Sequence, residues 1–282
     1  MTVPELPFRL TVRSTGRAPG AVRGVLLVVE HAWVWYRRNW RATVVSSIVQ
    51  PLLFLLAFGV GFGSLVQRGG GAGVAAATGG PTYLVWLAPA LLTVSAVQTA
   101  VFESSYPVLS GFKWQRHYHG MTAGPVSPAQ VALGHLTWVA LKTAGSGAVY
   151  VVVIALFGGL ASTGIVVSLL AAVLTGAAVA APVTAFSATL ESDRGAFSVL
   201  FRFVLIPMTL FSGTFFPVDR LPVWVQPVAW VSPLWHGTEV ARAAALGRWQ
   251  LLPALGHTAY LLALLLVGAA LATRVYTRRL QP

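Results

Sequence analysis

The feature that most limits what this chain can become is the length of its apolar runs. Stretches of eighteen or more residues, about six of them, contain almost no Asp, Glu, Lys or Arg. As helices, roughly 20 such residues cross the roughly 30 Å hydrocarbon core of a bilayer. Read as spans they fall near 43–66, 82–105, 130–157, 163–190, 198–216 and 251–273. Only 9% of the 282 residues are charged and 56% are hydrophobic, against about 25% charged in an ordinary soluble domain. The expectation is an all-α, polytopic membrane protein with six transmembrane helices.

The few charges are mostly basic, 19 Lys and Arg against 7 Asp and Glu, for a formal net charge of +12. In a soluble chain that balance points to nucleic acid. Between apolar spans it points to topology, because Lys and Arg are retained on the cytoplasmic side, where anionic headgroups attract them. With the N-terminus inside, Arg9, Arg13, Arg17, Arg23, Arg37, Arg38 and Arg41 are cytoplasmic. So are Lys113, Arg116, Arg194, Arg202, Arg274, Arg278 and Arg279. Arg68, Arg220, Arg242 and Arg248 fall outside, and Lys142 within the membrane. The imbalance predicts both termini in the cytoplasm and no nucleic-acid partner. There are no cysteines, which excludes disulfides, thiolate metal sites and lipid attachment through sulfur. Seven arginines precede the first span and no cleavage site follows a short apolar core, so no secretory signal is expected.

Residues 1–20, rich in Arg, Pro, Gly and Thr without periodicity, read as a mobile cytoplasmic tail. Residues 21–41 differ. Val22, Val25, Leu26, Val29, Trp33, Tyr36 and Trp40 follow i, i+3, i+4, i+7 spacing, with Glu30, His31, Arg38 and Arg41 off the stripe. A basic amphipathic helix carrying tryptophans suits the headgroup boundary, where it is expected to lie flat as an interfacial helix. The competing reading, an extra span, must insert Glu30 with Arg37, Arg38 and Arg41. Residues 42–282 form the six-span domain. Its first span holds Gln50, Pro51, Gly59, Gly61 and Gly63, and the fifth holds Pro207; the prolines predict kinks.

Three segments are candidates for function. Between spans five and six, residues 217–250 are too apolar for a free loop and too rich in proline for a seventh span. They read as two short re-entrant helices, the first opened by Leu221-Pro222 with Trp224 and Trp230 as interfacial anchors, the second capped by Ser232-Pro233 and supported by Glu239 and Arg242 three apart. A passive surface cap and an outer gate are both open, the gate because re-entrant backbone needs protein or a water-filled cavity beside it. Glu103 and Lys142 are ionisable groups inside spans two and three, and so candidates by default. Lys142 lies roughly 18 Å into its span at 1.5 Å per residue, which leaves a direct pair, a snorkelling lysine and a substrate contact all open. Phe112-Lys113-Trp114-Gln115-Arg116-His117-Tyr118-His119 mixes aromatic and basic residues in the longest internal polar connection. Adhesion to the membrane surface and docking of a cytoplasmic partner both fit it. His117 and His119 lack a third ligand nearby, so no metal is expected.

What is missing also restricts function. The only lysines follow Phe112 and Leu141, so there is no Gly-Lys-Ser/Thr loop to cradle a nucleotide phosphate. Neither His-Glu-x-x-His nor Gly-x-Ser-x-Gly occurs, and the two aspartates, Asp193 and Asp219, stand at predicted membrane boundaries. No enzymatic activity is expected of the chain itself.

With these residues in view the chain resembles the permease subunits of type 2 ABC exporters, particularly those for nodulation factors and daunorubicin-like drugs. The likeness runs from Tyr36-Arg37-Arg38-Asn39 through the sixth span. It is strongest in Phe211-Ser-Gly-Thr-Phe215-Phe216-Pro217-Val-Asp-Arg-Leu221-Pro222, continuing to Pro233-Leu-Trp-His236 and Arg242, with a second block at Phe102-Glu103, Tyr106, Gln115-Arg116, Thr137-Trp138 and Lys142-Thr143. The resemblance implies a bacterial cytoplasmic-membrane location and a homodimer docked to separate ATP-binding subunits. ATP and magnesium sit on those partners, and no cofactor is bound here. It further implies that the flat N-terminal helix, with Arg37 and Arg38, and the segment Phe112–Tyr118 touch the ATPase, and that the outer helices run within 215–245. Export of an amphiphilic substrate, whether drug-like compound, glycolipid or lipid-linked glycan, is the expected activity. Gln50, Pro51, Gly59, Gly61, Glu103, Lys142 and Pro207 are the candidate pathway. Phe215, Phe216, Pro217, Leu221, Pro222, Trp224, Pro233, His236 and Arg242 are the candidate outer gate. A self-contained secondary exporter and a lipid-modifying membrane enzyme are the alternatives.

Overall fold

The structure, a computed structural model, describes residues 19–54, 56–57 and 82–281. The expected tail, Gly59, Gly61, Gly63 and the loop 67–81 lie outside the described residues, apart from Pro19 and Gly20 at the tail's end, and so do the side chains of Gln50 and Pro51. Among the described residues every regular element is a helix.

Helix α1, Ala21–Phe54, is continuous except at Asn39, whose backbone leaves the helical region at φ −114 and ψ 16. Its first half packs on the protein along a face other than the apolar stripe read from the sequence. Gly24 and Val28 are its buried positions, Val25, Val29 and Tyr36 are half-buried, and Val22, Leu26 and Trp33 are exposed. The reason is close packing on α5, Pro128–Leu156. Gly24 abuts the Gln130 side chain, and a Cβ added to Gly134 would lie 2.5 Å from Val28. Tyr36 and Trp138 meet edge to face at 5.5 Å. Contacts 24 to 130, 28 to 134 and 36 to 138 advance together, so this half of α1 runs parallel to the first half of α5. Gln130 secures both starts. It forms a capping box with Ser127 and donates to the Gly20 carbonyl, a cap of a kind worth about 1 kcal/mol.

Four helices, among the described residues, are long and apolar enough to cross a membrane. They are α2, Tyr83–Glu103, taken with its continuation α3, Tyr106–Lys113; α5; α6, Ile165–Thr189; and α10, Leu251–Leu280. Between α2 and α3 the chain breaks at Ser104 and Ser105, where the Ser105 hydroxyl returns to the Val101 carbonyl at 2.5 Å and Pro107 bars a continuous ladder. A short α4, His117–Ala123, follows. The stretch predicted as span five is a shorter helix, α7, Ala196–Phe211. Its middle, Leu200–Leu205, is π-helical, a widening that accommodates Pro207, which has no amide hydrogen to give. After α7 come a single 3-10 turn at Val218–Arg220, then α8, Gln226–Val231, and α9, Pro233–Ala245. The segment after α7 is broken into short helices as predicted, but the first of them begins at Gln226, four residues after Pro222, because Val223–Val225 form a turn closed by Val225 N–H on the Pro222 carbonyl.

The core is built around α6, whose buried positions are mostly Ala, Ser, Thr, Gly and Val. Small residues let helix backbones approach closely, which is how helices associate without a hydrophobic driving force. A Cβ on Gly268 of α10 would meet Pro182 of α6 at 2.6 Å, and one on Gly237 of α9 would overlap Thr175. The Arg279 guanidinium at the end of α10 donates to the Ala188 and Leu190 carbonyls at 2.6 and 2.8 Å, satisfying the C-terminus of α6 with a cation, as the helix dipole favours.

Candidate functional site

The candidate residues gather at the two ends of α2, roughly 25 Å apart at 1.5 Å per residue from Trp86 to Glu103. At the Trp86 end sits Arg242 of α9, 8% exposed. Its guanidinium lies 3.8 Å from the Trp86 ring centre. It donates to the Gly213 carbonyl at 2.9 Å, to the Trp86 carbonyl at 3.4 Å and to Glu239 at 3.3 Å. Glycine at 213 has φ +75, a left-handed turn that aims its carbonyl at the cation and that a side chain disfavours. Tyr83 donates to the Phe215 carbonyl at 2.9 Å, and the Ser212 and Ser232 hydroxyls share a bond at 2.6 Å. Burial pushes the Arg242 guanidinium down to about 10, a shift the neighbouring Glu239 opposes, so it stays charged at neutral pH.

Beside it, His236 and His257 face one another, Nδ1 to Nδ1 at 2.7 Å. The His236 Nε2 lies 2.9 Å from the Trp230 carbonyl. That carbonyl only accepts, so Nε2 carries the proton and neutral His236 offers Nδ1 as acceptor to His257. Tyr260 stacks on His236 at 3.9 Å and donates to the Val231 carbonyl at 2.5 Å. Of the residues expected at an outer gate, Arg242 and His236 are in this cluster and Pro233 starts its helix. Phe216, Pro222 and Trp224 are exposed, while Phe215, Pro217 and Leu221 are half-buried.

At the other end Glu103 and Lys142 meet at 2.5 Å, their side chains 21% and 11% exposed. The depth difference that left this pair open in the sequence disappears because α3 prolongs α2, so Glu103 stands about 15 Å from Lys113 rather than at the helix end. The pair borders a cavity of about 510 Å³. From α1 come His31, Ala32 and Trp35; from α3, Pro107 and Ser110; from α4 and its approach, Gln115, His117 and Tyr118; from α5, His135 and Trp138. The His117 Nδ1 and His135 Nε2 are buried without a hydrogen-bond partner. Burial, then His31, pushes His117 down to about 4, so its imidazole is neutral at pH 7.

The segment expected to dock a partner divides in two. Lys113, Trp114, Gln115 and Arg116 are exposed, and Arg116 takes the left-handed conformation, φ 50, that turns α3 into α4. Phe112 and Tyr118 are buried, each 3% exposed. Phe112 meets Tyr118 and Tyr276 at 5.0 and 4.8 Å with Arg279 over its ring at 4.4 Å. These two side chains therefore anchor the segment to α10 rather than form its outer surface. Arg37 and Arg38 are exposed on α1, and Pro207 is half-buried in α7.

The sequence reading missed His31, His135 and Trp138 in the cavity, and Trp86, Tyr83 and Gly213 around Arg242. Gly213 had a signal, a glycine near the end of predicted span five, shortly before a proline-rich segment. Trp86 stands two turns or less from the start of a span, where an interfacial anchor was the ready explanation.

Comparison with known proteins gives a consistent result. The family profile described as "ABC-2 type transporter" matches residues 24–246. Nodulation protein J of Rhizobium leguminosarum bv. trifolii is 28% identical over 262 residues, covering 93% of this chain and 96% of that protein. Nodulation protein J of Rhizobium meliloti (strain 1021) is 29% identical over 265 residues, with 89% and 96% covered. The protein of the same name from Neorhizobium galegae is 23% identical over 235 residues, with 83% and 86% covered.

Proposed function

The chain belongs to the ABC-2 type transporter family and is a multi-pass membrane permease, and from that premise we propose that it is the membrane half of an ATP-driven exporter. Two copies, each docked to a cytoplasmic ATP-binding subunit that holds ATP and magnesium, move an amphiphilic substrate such as a drug-like compound, a glycolipid or a lipid-linked glycan outward across the bacterial cytoplasmic membrane. Each copy has six spans, with the second half of α1 and the helix α7 joining the four long apolar helices, and with both termini in the cytoplasm. Residues 21–41 serve as the interfacial helix and 42–282 as the transmembrane domain. The Glu103 end is then cytoplasmic, and α8 and α9 form the outer re-entrant pair.

The observation that carries this reading is the exposed basic turn Lys113–Arg116. It stands between two long apolar helices, on a chain whose two lysines lie in no phosphate-cradling loop. A charged, rigidly anchored projection on a transporter without its own ATP chemistry suits a power-supplying partner. Exposed charged groups at a contact rim govern recognition more than fold stability. Arg37 and Arg38 add to the same surface. The pathway runs between the two copies, lined by the Gln50–Pro51 region and Pro207, with Glu103 and Lys142 at its inner flank. Phe215 to Pro222, Trp224, Pro233, His236 and Arg242 make the outer gate.

The test is co-expression with the candidate ATP-binding subunit. Arg116→Glu is expected to lower the amount of ATPase recovered with the tagged chain about tenfold, while membrane insertion and thermal melting are unchanged. Equal co-purification from wild type and variant sinks the docking assignment. Export by the chain alone in vesicles, driven by a proton gradient, sinks the ATP-driven reading.

A further inference from the structure

The cavity at the Glu103 end has a chemistry that docking of an ATPase does not use. Its charged groups are one ammonium and one carboxylate, already paired at 2.5 Å, so its net charge is zero. The pair is not saturated. An ammonium has three hydrogens to donate and a carboxylate accepts on two oxygens, and the bonds made here are one between Lys142 Nζ and Glu103 Oε1. Two further polar atoms that line the space, His117 Nδ1 and His135 Nε2, are buried and unpartnered, and His135 as a whole is 8% exposed. Buried polar groups are normally satisfied, and four sets of unused donors and acceptors converging on one cavity mark it as a place for a polar ligand.

The aromatic residues narrow the class. Trp35 and Trp138 form walls of the same cavity, and Lys142 Nζ lies 5.8 Å from the Tyr36 ring centre. Faces of indole and phenol favour cations over anions. A ligand with positive charge for Glu103 and the ring faces, and negative charge for Lys142 and an imidazole N–H, completes an alternating arrangement without parting the existing pair. An anion alone meets the Glu103 carboxylate as well as Lys142, and so gains less here than a ligand that carries both charges.

Depth supplies the source. Arg37 and Arg38, both exposed, directly follow Tyr36 on α1, and the exposed Gln115 lines the cavity, so the cavity reaches from the ion pair to the level where cationic side chains leave the hydrocarbon for the headgroups. The exposed Trp33 and Trp35 beside them are residues of the same boundary. We infer that this cavity is a binding site for the headgroup of a zwitterionic phospholipid of the inner leaflet, its ammonium against Glu103 and the tryptophans, its phosphate against Lys142 and the unpartnered imidazoles. The lipid ties α1 to α2 and α5 through a polar filler. The choice of the inner leaflet rests on the sidedness given by the export reading; the lipid site itself goes beyond that reading and is tested apart from it.

Native mass spectrometry of the detergent-purified chain, after exchange in mixed vesicles of phosphatidylethanolamine and phosphatidylglycerol in equal amounts, tests it. Wild type is expected to retain one phosphatidylethanolamine per chain in at least tenfold preference to phosphatidylglycerol. Glu103→Gln, which keeps a hydrogen-bonding side chain but not the charge, is expected to abolish the preference. Lys142→Met is expected to remove retention of both lipids. A second measurement keeps the outcome independent of folding: soluble phosphoethanolamine should quench or shift wild-type tryptophan emission and leave Trp138→Phe with a smaller change. Retention of phosphatidylglycerol instead, equal retention by Glu103→Gln, or no retained lipid in folded wild type overturns the proposal. Competition by N-acetylglucosamine but not by phosphoethanolamine also overturns it, and gives the cavity to a sugar.

Discussion

The two ends of α2 are built to opposite specifications. At one end Arg242 is buried and its donors are used on two carbonyls and a carboxylate, with Trp86 beneath it. At the other, a partly exposed ion pair borders a cavity of about 510 Å³ with buried imidazole nitrogens left over. The first arrangement locks three segments, α2, the Gly213 turn and α9, into one position. The second leaves room for something else. A polar cluster that satisfies itself is a structural joint, and one that does not is an invitation to a ligand. Removing groups from the two ends should therefore give different currencies of effect, stability at the Arg242 end and binding at the Glu103 end.

The largest effect is expected from Arg242→Met. It preserves much of the volume against Trp86 but leaves the Gly213 and Trp86 carbonyls and the Glu239 carboxylate without their cation. Breaking one partner of a buried ionic cluster costs about 3–5 kcal/mol, readable as a large fall in the melting temperature in detergent. Arg242→Lys should recover only part of it, since a point charge does not reach three acceptors in different directions. A Met variant as stable as wild type would erase the contrast between the ends. Next is Gly237→Val. Its Cβ falls on Thr175 of α6, and forcing α9 away from α6 is expected to cost about 1–3 kcal/mol. Glu103→Gln should lower stability by no more than about 1 kcal/mol, because the pair is partly exposed and the amide retains a hydrogen bond to Lys142. A Glu103 variant that unfolds the protein as thoroughly as the Arg242 variant would make both ends structural.

Much of this contrast was hidden in the sequence for identifiable reasons. The spans α2, α5, α6 and α10 were legible because lipid imposes a length and a composition that no loop imitates. The breaks in the segment after α7 were legible from Pro217, Pro222 and Pro233, and the Glu239–Arg242 pair from spacing alone. The depth of Glu103 was not, because the break at Ser104 and Ser105 looked like a span's end when α3 in fact prolongs it. The face of α1 that packs on α5 was not legible, since Gly24, a buried residue pressed on Gln130, carries no hydrophobic signal, whereas the exposed Leu26 and Trp33 carry a strong one. His31, His117 and His135 come from three separate elements, and nothing in their sequence positions announces a shared cavity.

The smallest expected effect is also the one that separates the ends most cleanly. His236 on α9 and His117 on α4 are both pushed below the ordinary histidine range, chiefly by burial. A histidine that is harder to protonate when folded stabilises the fold above its unfolded value near 6.5. That contribution fades as pH falls from 6.5 through the folded value. For His117 the window extends down to about 4. For His236 the loss has a specific cause: with Nε2 committed to Trp230, a second proton at Nδ1 meets His257 Nδ1, and only one hydrogen fits between them. The groups against it are His257, Tyr260, Trp235 and the Trp230 carbonyl; His257 opposes an added charge, and the Trp230 carbonyl favours it. In sealed, oriented vesicles, acidifying only the outer solution to pH 5 should lower the melting temperature by a few degrees or less, and His236→Gln should remove most of that shift. Acidifying only the lumen should act through His117 and be indifferent to the His236 substitution. If His236→Gln changed the response to lumenal rather than external acid, the assignment of α9 to the outer face would be inverted, and with it the sidedness of both sites.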